Sequence, residues 1–247
     1  MPKPGGWRIK DQWFTSGWDS LWHKDDGGHL AIRKMTTEIV VLTKAPIPGQ
    51  VKTRLIPDLG AEAAAKLHWE MAWATLERAT KTGFPVRVSL AGDTSGHDFT
   101  TQLVEAGYPT EPQADGDLGQ RMAHVLQNPG RQIILGTDCV VFEPEWLHLA
   151  ANSAADIAIG PATDGGYWSI SVNGVRPDLT ELLFDGIQWS TDTVFSTTTS
   201  RLERSKSPYT LLPKAYDIDA LHDVKRLYSD PRCSPRIRRF LSSIFQT

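Results

Sequence analysis

Cysteine is nearly missing from this sequence: Cys139 and Cys233 are the two thiols in 247 residues. That number supports neither a disulfide framework nor a cysteine-rich zinc site, and it agrees with a reducing compartment. No apolar run approaches the roughly 20 residues that cross a bilayer, and the N-terminus lacks the apolar core of a signal peptide. Charge of one sign is also scarce, with a net charge of -3 and an isoelectric point near 6.2. There is therefore no electrostatic footprint for nucleic acid. Internal repeats and low-complexity tracts are absent. These absences leave a soluble, cytoplasmic protein as the expectation, with a length that suits one domain with a substantial core, or one domain plus an appendage.

The residues present are organised around one stretch, Glu38 to Leu55. Its apolar run Ile39–Leu42 reads as a strand buried on both faces. Pro46 and Pro48 then forbid regular structure, and Gly49 supplies a turn or a close backbone approach. Lys52 and Arg54 follow in the same short loop, ahead of a long helix. A strand feeding a glycine-bearing loop with two cations is how α/β folds hold phosphate groups. The bland reading is an ordinary strand-to-helix connection with solvated Lys and Arg. A P-loop is the wrong motif here, since Lys52 does not follow a glycine and the motif's first glycine is missing.

Upstream, residues 1–36 form a separate extension carrying Trp7, Trp13, Trp18 and Trp22 without sustained periodicity. It reads either as an arm docking its indoles on the domain or on a second subunit, or as an extension preceding a start at Met35. The remainder, 37–247, reads as one domain. A helix is expected over Ala61–Thr82, apolar on two sides and so covered on both. His68 on it reads as a packed or surface histidine. Strands follow near Val86–Leu90, Gln132–Leu135, Asp156–Gly160, to Val172, and Tyr209–Leu212. A weak helix lies near Asp98–Ala106, and an amphipathic terminal helix carries Arg236, Arg238 and Arg239, its charges a solvated face.

Four further places carry candidate chemistry. Asp117, with Gln120 three residues on, forms a capping-box pattern; the same loop offers Gln113 and Asp117 to a nucleotide base or ribose. Asp138 follows a buried strand directly, beside Gly136 and Thr137, in the setting of a divalent-metal ligand; Cys139 next to it reads as a packed residue. Asp164-Gly165-Gly166 makes a hairpin turn. As a site, its glycines would admit a ligand to the backbone, while Tyr167 and Trp168 would floor a sugar or base or fill core. Ser190 or Thr191 is expected to cap the next helix. Asp217 and Asp219 alternate on one face of an extended segment; one is a candidate second metal ligand, and Asp219 could equally cap the helix after it.

The run Lys44-Ala-Pro-Ile-Pro-Gly-Gln-Val-Lys-Thr-Arg-Leu55 resembles the opening signature of DUF2064, a glycosyltransferase-like transferase family associated with radical-SAM and selenium-related genes. That family sits in the nucleotide-diphospho-sugar transferase superfamily. Matches continue in order through Gly116–Met122, Gly136–Cys139, Gly160–Trp168, Gly186–Thr191 and Asp217–Asp219, so the resemblance spans about 38–230. It implies a GT-A-like (Rossmann-like) three-layer α/β sandwich, with a mostly parallel sheet and nucleotide at its carboxyl edge. It also relates the chain to phospholactate-type cofactor guanylyltransferases and molybdenum-cofactor nucleotidyltransferases, whose ends resemble Asp-x-Asp-Thr-Pro-Glu-Asp-Leu. The chain departs at Val140, where the family often has proline, and at Ala220-Leu221-His222, which replaces Thr-Pro-Glu.

On this reading the protein is a transferase using Mg²⁺, or Mn²⁺ in its place. Lys44, Ala45, Pro46, Gly49, Lys52, Arg54, Gln113, Asp117 and Gly119 would bind nucleotide. Lys52, Arg54 and Asp138 would be catalytic, and Asp138 with Asp217 or Asp219 would hold the metal. Asp164, Gly165, Gly166, Trp189, Ser190 and Thr191 would face a small-molecule acceptor. The expected partner is a nucleoside triphosphate or a nucleotide-sugar, with a homodimer allowed and neither nucleic acid nor membrane involved. Nucleotidyl transfer to a phosphorylated acceptor leads. Glycosyl transfer and non-catalytic nucleotide binding are the alternatives.

Overall fold

The computed structural model describes residues 36–92 and 97–245, together with the backbone of two short strands further upstream. The chain divides into two units, 1–36 and 37–247. In the first, β1 (Trp22–Lys24) and β2 (Leu30–Ile32) pair antiparallel. Trp7, Trp13 and Trp18 lie outside the described residues.

The second unit begins with β3 (Thr37–Lys44), whose alternation decides the layering. Ile39 and Val41 enter one apolar cluster, Val40 and Leu42 the other, and all four are buried. After the loop come a 3-10 turn (Thr53–Leu55), α1 (Ile56–Leu59) and α2 (Ala61–Thr80). Then follow β4 (Val86–Ala91), α3 (Asp98–Glu105), β5 (Thr110–Pro112), α4 (Leu118–Val125) and β6 (Arg131–Leu135). The chain continues as α5 (Pro144–Ala151), β7 (Ile157–Pro161), β8 (Tyr167–Asn173), α6 (Pro177–Phe184) and α7 (Val194–Arg204). It ends with β9 (Tyr209–Leu211), α8 (Leu221–Ser229) and α9 (Pro235–Phe245).

The seven strands order as β5-β4-β3-β6-β8-β7-β9. All neighbours pair parallel except β8, which runs antiparallel to β6 and β7. Because β4 lies on one side of β3 and β6 on the other, the chain reverses its winding between β3 and β6. Open α/β sheets receive ligands outside the strand carboxyl ends at such a reversal. One face packs α2, α3 and α5, the other α4, α6 and α7, giving the α/β three-layer sandwich. Long α2 is indeed covered on two sides: Leu76 and Ala79 meet the sheet, while Leu67, Met71 and Ala74 meet α8 and α9.

Two elements depart from expectation. Helix α6 had no counterpart in the sequence reading; Pro177 at its first turn pre-sets φ, and Leu179, Leu183 and Phe184 then bury on one face. Helix α7 is capped by neither Ser190 nor Thr191, because it starts two to three residues later and no side chain caps it. The carbonyl of Gly165 instead accepts from the Phe195 N–H at 2.8 Å, satisfying a donor of the first turn. Thr191 Oγ1 donates to the Gln188 carbonyl at 2.8 Å within its own turn.

Candidate functional site

At the carboxyl end of β3 the loop folds on itself: Ile47 N–H donates to the Ala45 carbonyl at 2.8 Å and Gln50 N–H to Ile47 at 3.0 Å. Ala45, Pro46 and Val51 are buried and anchor it; Lys44 and Gly49 face outward. Gly49 holds φ at +83°, and among the described residues nothing lies within 4 Å of where a Cβ would sit. Lys52 takes a left-handed φ of 46° that residues with a side chain rarely adopt. That turn aims its side chain inward, where 4% of it stays exposed.

Lys52 Nζ meets oxygens from two separate segments, the end of β6 and the loop between β9 and α8. It donates to Asp138 Oδ1, just beyond β6. It also donates to the Ile218 carbonyl at 2.6 Å and to Asp219 Oδ1 at 3.2 Å. Arg54, 77% exposed, reaches the other oxygen of Asp219 at 3.3 Å. The two segments are stitched directly by Ile218 N–H donating to the Asp138 carbonyl at 3.0 Å. Ile218 itself is fully buried, so Asp217 and Asp219 flank it on the open side, as alternation requires. Thr163 Oγ1 donates to Asp217 Oδ1 at 3.2 Å, which brings in the hairpin that carries Asp164.

The electrostatics follow from this crowding. Desolvation by the crowded atoms around it pushes the Asp138 carboxyl up, but the Lys52 charge and hydrogen bond, with His68 behind, outweigh it and leave this solvent-reaching group below its ordinary value. Burial pulls Lys52 down, and Asp138 and Asp219 more than restore it, so the ammonium is held charged. Asp217 moves up, first from burial and then from Asp164 and Asp219 nearby. Cys139 is buried, and desolvation followed by the surrounding aspartates drives its thiol well above the ordinary range, which makes it a packed residue.

No group of three His, Cys, Asp or Glu side chains among the described residues forms a metal cage. The donor chemistry nonetheless suits a hard cation: Asp138 Oδ1, Asp219 Oδ1 and the Ile218 carbonyl already converge on one positive charge, all through oxygen. Among the described residues Asp138, Asp164, Asp217 and Asp219 gather near Lys52, Arg54 and Lys44, four carboxylates against three cations, and a divalent ion offsets the remaining negative charge.

Several other expected residues are occupied by the fold. Gln113 Nε2 donates to the Thr43 carbonyl at 3.1 Å and to Ser89 at 2.9 Å, so both amide hydrogens tie the ends of β3 and β4 together. Asp117 forms the expected capping box with Gln120 on α4. Asp117 and Gly119 line a groove of about 560 Å³ between α4 and α6, which includes neither Lys52 nor Asp138. A Cβ at Gly119 would lie 2.7 Å from the Trp189 indole. Trp189 is half-buried there against Tyr167 and Phe184, 6.4 and 6.1 Å between ring centres. A Cβ at Gly165 would sit 2.0 Å from the Asp192 carbonyl oxygen, so this glycine admits the chain's own backbone. Asp164 Oδ1 accepts from Gly166 N–H at 2.8 Å. Trp168 fills core, stacked on Phe142 at 5.4 Å, with its indole N–H on the Pro213 carbonyl. Asp219 does not cap α8; Asp223 takes the N–H groups of both Asp219 and Ala220.

Sequence reasoning read His68 as a packed or surface residue, of which burial bears out the first, but it missed the residues that brace the site. His68 is buried with Nε2 3.2 Å from the Lys44 carbonyl, and Tyr216, Asp230 and Arg232 brace the site from behind. Single polar residues inside helices and turns gave no motif by which to find them.

Comparison with known proteins places this geometry. Residues 75–191 match the profile of DUF2064, described as "Uncharacterized protein conserved in bacteria". No curated protein matches the chain in sequence. The structure of a putative nucleotide-diphospho-sugar transferase from Desulfovibrio desulfuricans G20 superposes with a TM-score of 0.75 and 27% identity, covering 85% of this chain and 95% of that one. A nucleotidyl transferase from Methanothermobacter gives 0.55 at 14% identity, over 85% of this chain and all of that one. The inositol-1-phosphate CTP transferase from T. maritima gives 0.53 at 11%, over 85% and 98%. The last two share the fold. The centre of the chain is thus similar to the DUF2064 profile, and most of its length is similar in fold to the Desulfovibrio protein.

Proposed function

We propose that this transferase is a nucleotidyltransferase dependent on Mg²⁺ or Mn²⁺, passing a nucleoside monophosphate from a nucleoside triphosphate to a phosphate or phosphonate oxygen on a small acceptor. The observation that carries this reading is the Lys52 ammonium, drawn among oxygens from the β6 end and the loop before α8, beside the point where the sheet reverses its winding. Asp138, with Asp219 or Asp217, would hold the metal, which when bound neutralises and polarises phosphate oxygens.

The chain's own groups do the rest. The outward backbone around Gly49 wraps the phosphates, and Lys52 and Arg54 offset charge on the transferring group. Asp164 and Ser190 face the acceptor from the hairpin side. The acceptor oxygen attacks the α-phosphorus as the bond from that phosphorus to the bridging oxygen breaks. Pyrophosphate leaves with the electron pair. Such a transfer needs positioning rather than a covalent intermediate, which agrees with the lack of an activated thiol at Cys139.

Glycosyl transfer from a nucleotide-sugar is the second reading, favoured by the name of the 27% identical relative. Against it, the β6 end carries Asp138 alone rather than the paired Asp-x-Asp of metal-dependent GT-A glycosyltransferases. The test is a matrix of four nucleoside triphosphates and several nucleotide-sugars against phosphorylated small acceptors, read by mass spectrometry with Mg²⁺ present. Pyrophosphate release with a new phosphodiester or phosphoanhydride product supports the proposal. Consumption of a nucleotide-sugar transfers the assignment to the second reading. Metal-independent nucleotide binding without turnover leaves a non-catalytic nucleotide-binding protein.

A further inference from the structure

We infer that Asp230, more than ten residues beyond the last site carboxylate, is a positioning residue that sets the separation of the two metal-binding segments; this rests on the metal reading of Asp138, Asp217 and Asp219. Those carboxylates come from segments far apart in sequence, joined at the front by the single Ile218-to-Asp138 backbone bond. Behind them Val140, Val141, Tyr216 and Ile218 share one apolar cluster, and the polar junction there centres on one carboxylate. Tyr216, the residue before Asp217, is 3% exposed and donates its hydroxyl to Asp230 Oδ2 at 2.9 Å. The guanidinium of Arg226 covers the Tyr216 ring at 3.7 Å, which leaves the ring little freedom.

Asp230 also receives Arg232 as a fork, Nε to Oδ1 at 3.0 Å and Nη2 to Oδ2 at 2.8 Å, plus the Arg232 backbone N–H at 2.8 Å. The remaining nitrogen of Arg232 donates to the Val141 carbonyl at 3.2 Å, three residues beyond Asp138. Arg78 on α2 closes the knot, donating to the Phe142 carbonyl at 3.0 Å and to the Arg232 carbonyl. Tyr216 and Val141 are therefore held at a fixed distance through Asp230 and Arg232, and the metal-facing carboxylates ride on them. Outer-shell partners of this kind commonly change metal affinity by about 10–100-fold when removed.

The test is Mn²⁺ titration of the full chain without nucleotide, read by electron paramagnetic resonance of free Mn²⁺, alongside thermal unfolding. Asp230→Asn keeps size and removes charge, and Tyr216→Phe removes one hydroxyl while leaving the ring. Arg236→Gln breaks the pairs with Glu70 and Glu77 on the far side of α2 and serves as the stability control. We expect Asp230→Asn to weaken Mn²⁺ about 10-fold and Tyr216→Phe less, with Arg236→Gln binding as wild type despite a lowered Tm. Should Asp230→Asn not fold, Tyr216→Phe carries the test. Unchanged Mn²⁺ affinity in the folded variants overturns the inference and leaves the metal reading standing, as does an equal loss in Arg236→Gln. A wild-type chain that binds no Mn²⁺ overturns the metal reading and this inference together.

Discussion

The loop after β3 and the paired loops around Gly165 and Trp189 each carry glycine in a motif-like run, yet the fold uses them in opposite ways. At Gly49 the backbone turns with nothing among the described residues near its absent side chain. At Gly165 and Gly119 the absent side chain is replaced by the chain itself, an Asp192 carbonyl in one case and the Trp189 indole in the other. A glycine in a signature can mark room for a ligand or room for a neighbouring loop, and sequence alone does not distinguish them. The first region delivers Lys52 to a cluster of carboxylates. The second builds the wall beside it.

The contrast breaks most visibly through activity. Asp138→Asn removes the charge that meets Lys52 while leaving a side chain of the same size. We expect turnover to fall at least about 10²-fold, with the fold intact by circular dichroism. The stability cost should be small, about 1 kcal/mol or less, because Asp138 is 58% exposed and its pairing is screened. Comparable turnover in the variant would remove Asp138 from the site.

The glycine comparison itself is sharpened by two matched substitutions. Gly165→Ala carries a left-handed φ of 91° and forces the Asp192 backbone to move, so we expect a loss of about 3 kcal/mol or more in urea unfolding. Gly49→Ala has a similar φ of 83° with free space, so its cost should stay near 1–2 kcal/mol, while its effect falls on nucleotide affinity. Equal losses at the two positions would show that backbone strain alone, rather than the Asp192 contact, sets the difference.

What the sequence made legible follows from which signals are local. Strand β3 was legible because four consecutive apolar residues bury on both faces, and the α4 start because Asp117 and Gln120 sit at capping-box spacing. The meeting of Lys52, Asp138 and Asp219 was legible in kind, since each follows a strand or an extended segment that the sheet must bring to one edge. The pairing partners were not. Gln113 reads as a ligand reader until the β3 and β4 carbonyls claim its amide, and Ser190 reads as a cap until Gly165 supplies one from another loop. Those outcomes depend on contacts more than twenty residues apart, which no local pattern encodes.

His68 belongs to neither region and ties the first to the helix behind it, so it offers the finest test. Its Nε2 lies 3.2 Å from the Lys44 carbonyl, which can only accept, and 3.3 Å from Thr43 Oγ1, so a hydrogen on that nitrogen meets an acceptor. Nδ1 is buried and finds no hydrogen-bond partner among the described residues. Protonation would place a second hydrogen on that orphaned atom, and burial accordingly lowers the group's pKa despite the pull of Asp138. The sign of the linkage is then fixed: below its ordinary value of about 6.5 the unfolded chain binds this proton and the folded chain resists it. Stability from His68 is present above that pH and declines as pH falls towards the folded value. Urea unfolding of wild type and His68→Gln at steps from pH 7.5 to 5.5 should show a steeper decline in wild type, by at most about 1.4 kcal/mol per pH unit. Parallel curves would mean that His68 takes up its proton equally in both states, and the neutral anchor for the Lys44 carbonyl would have to be abandoned.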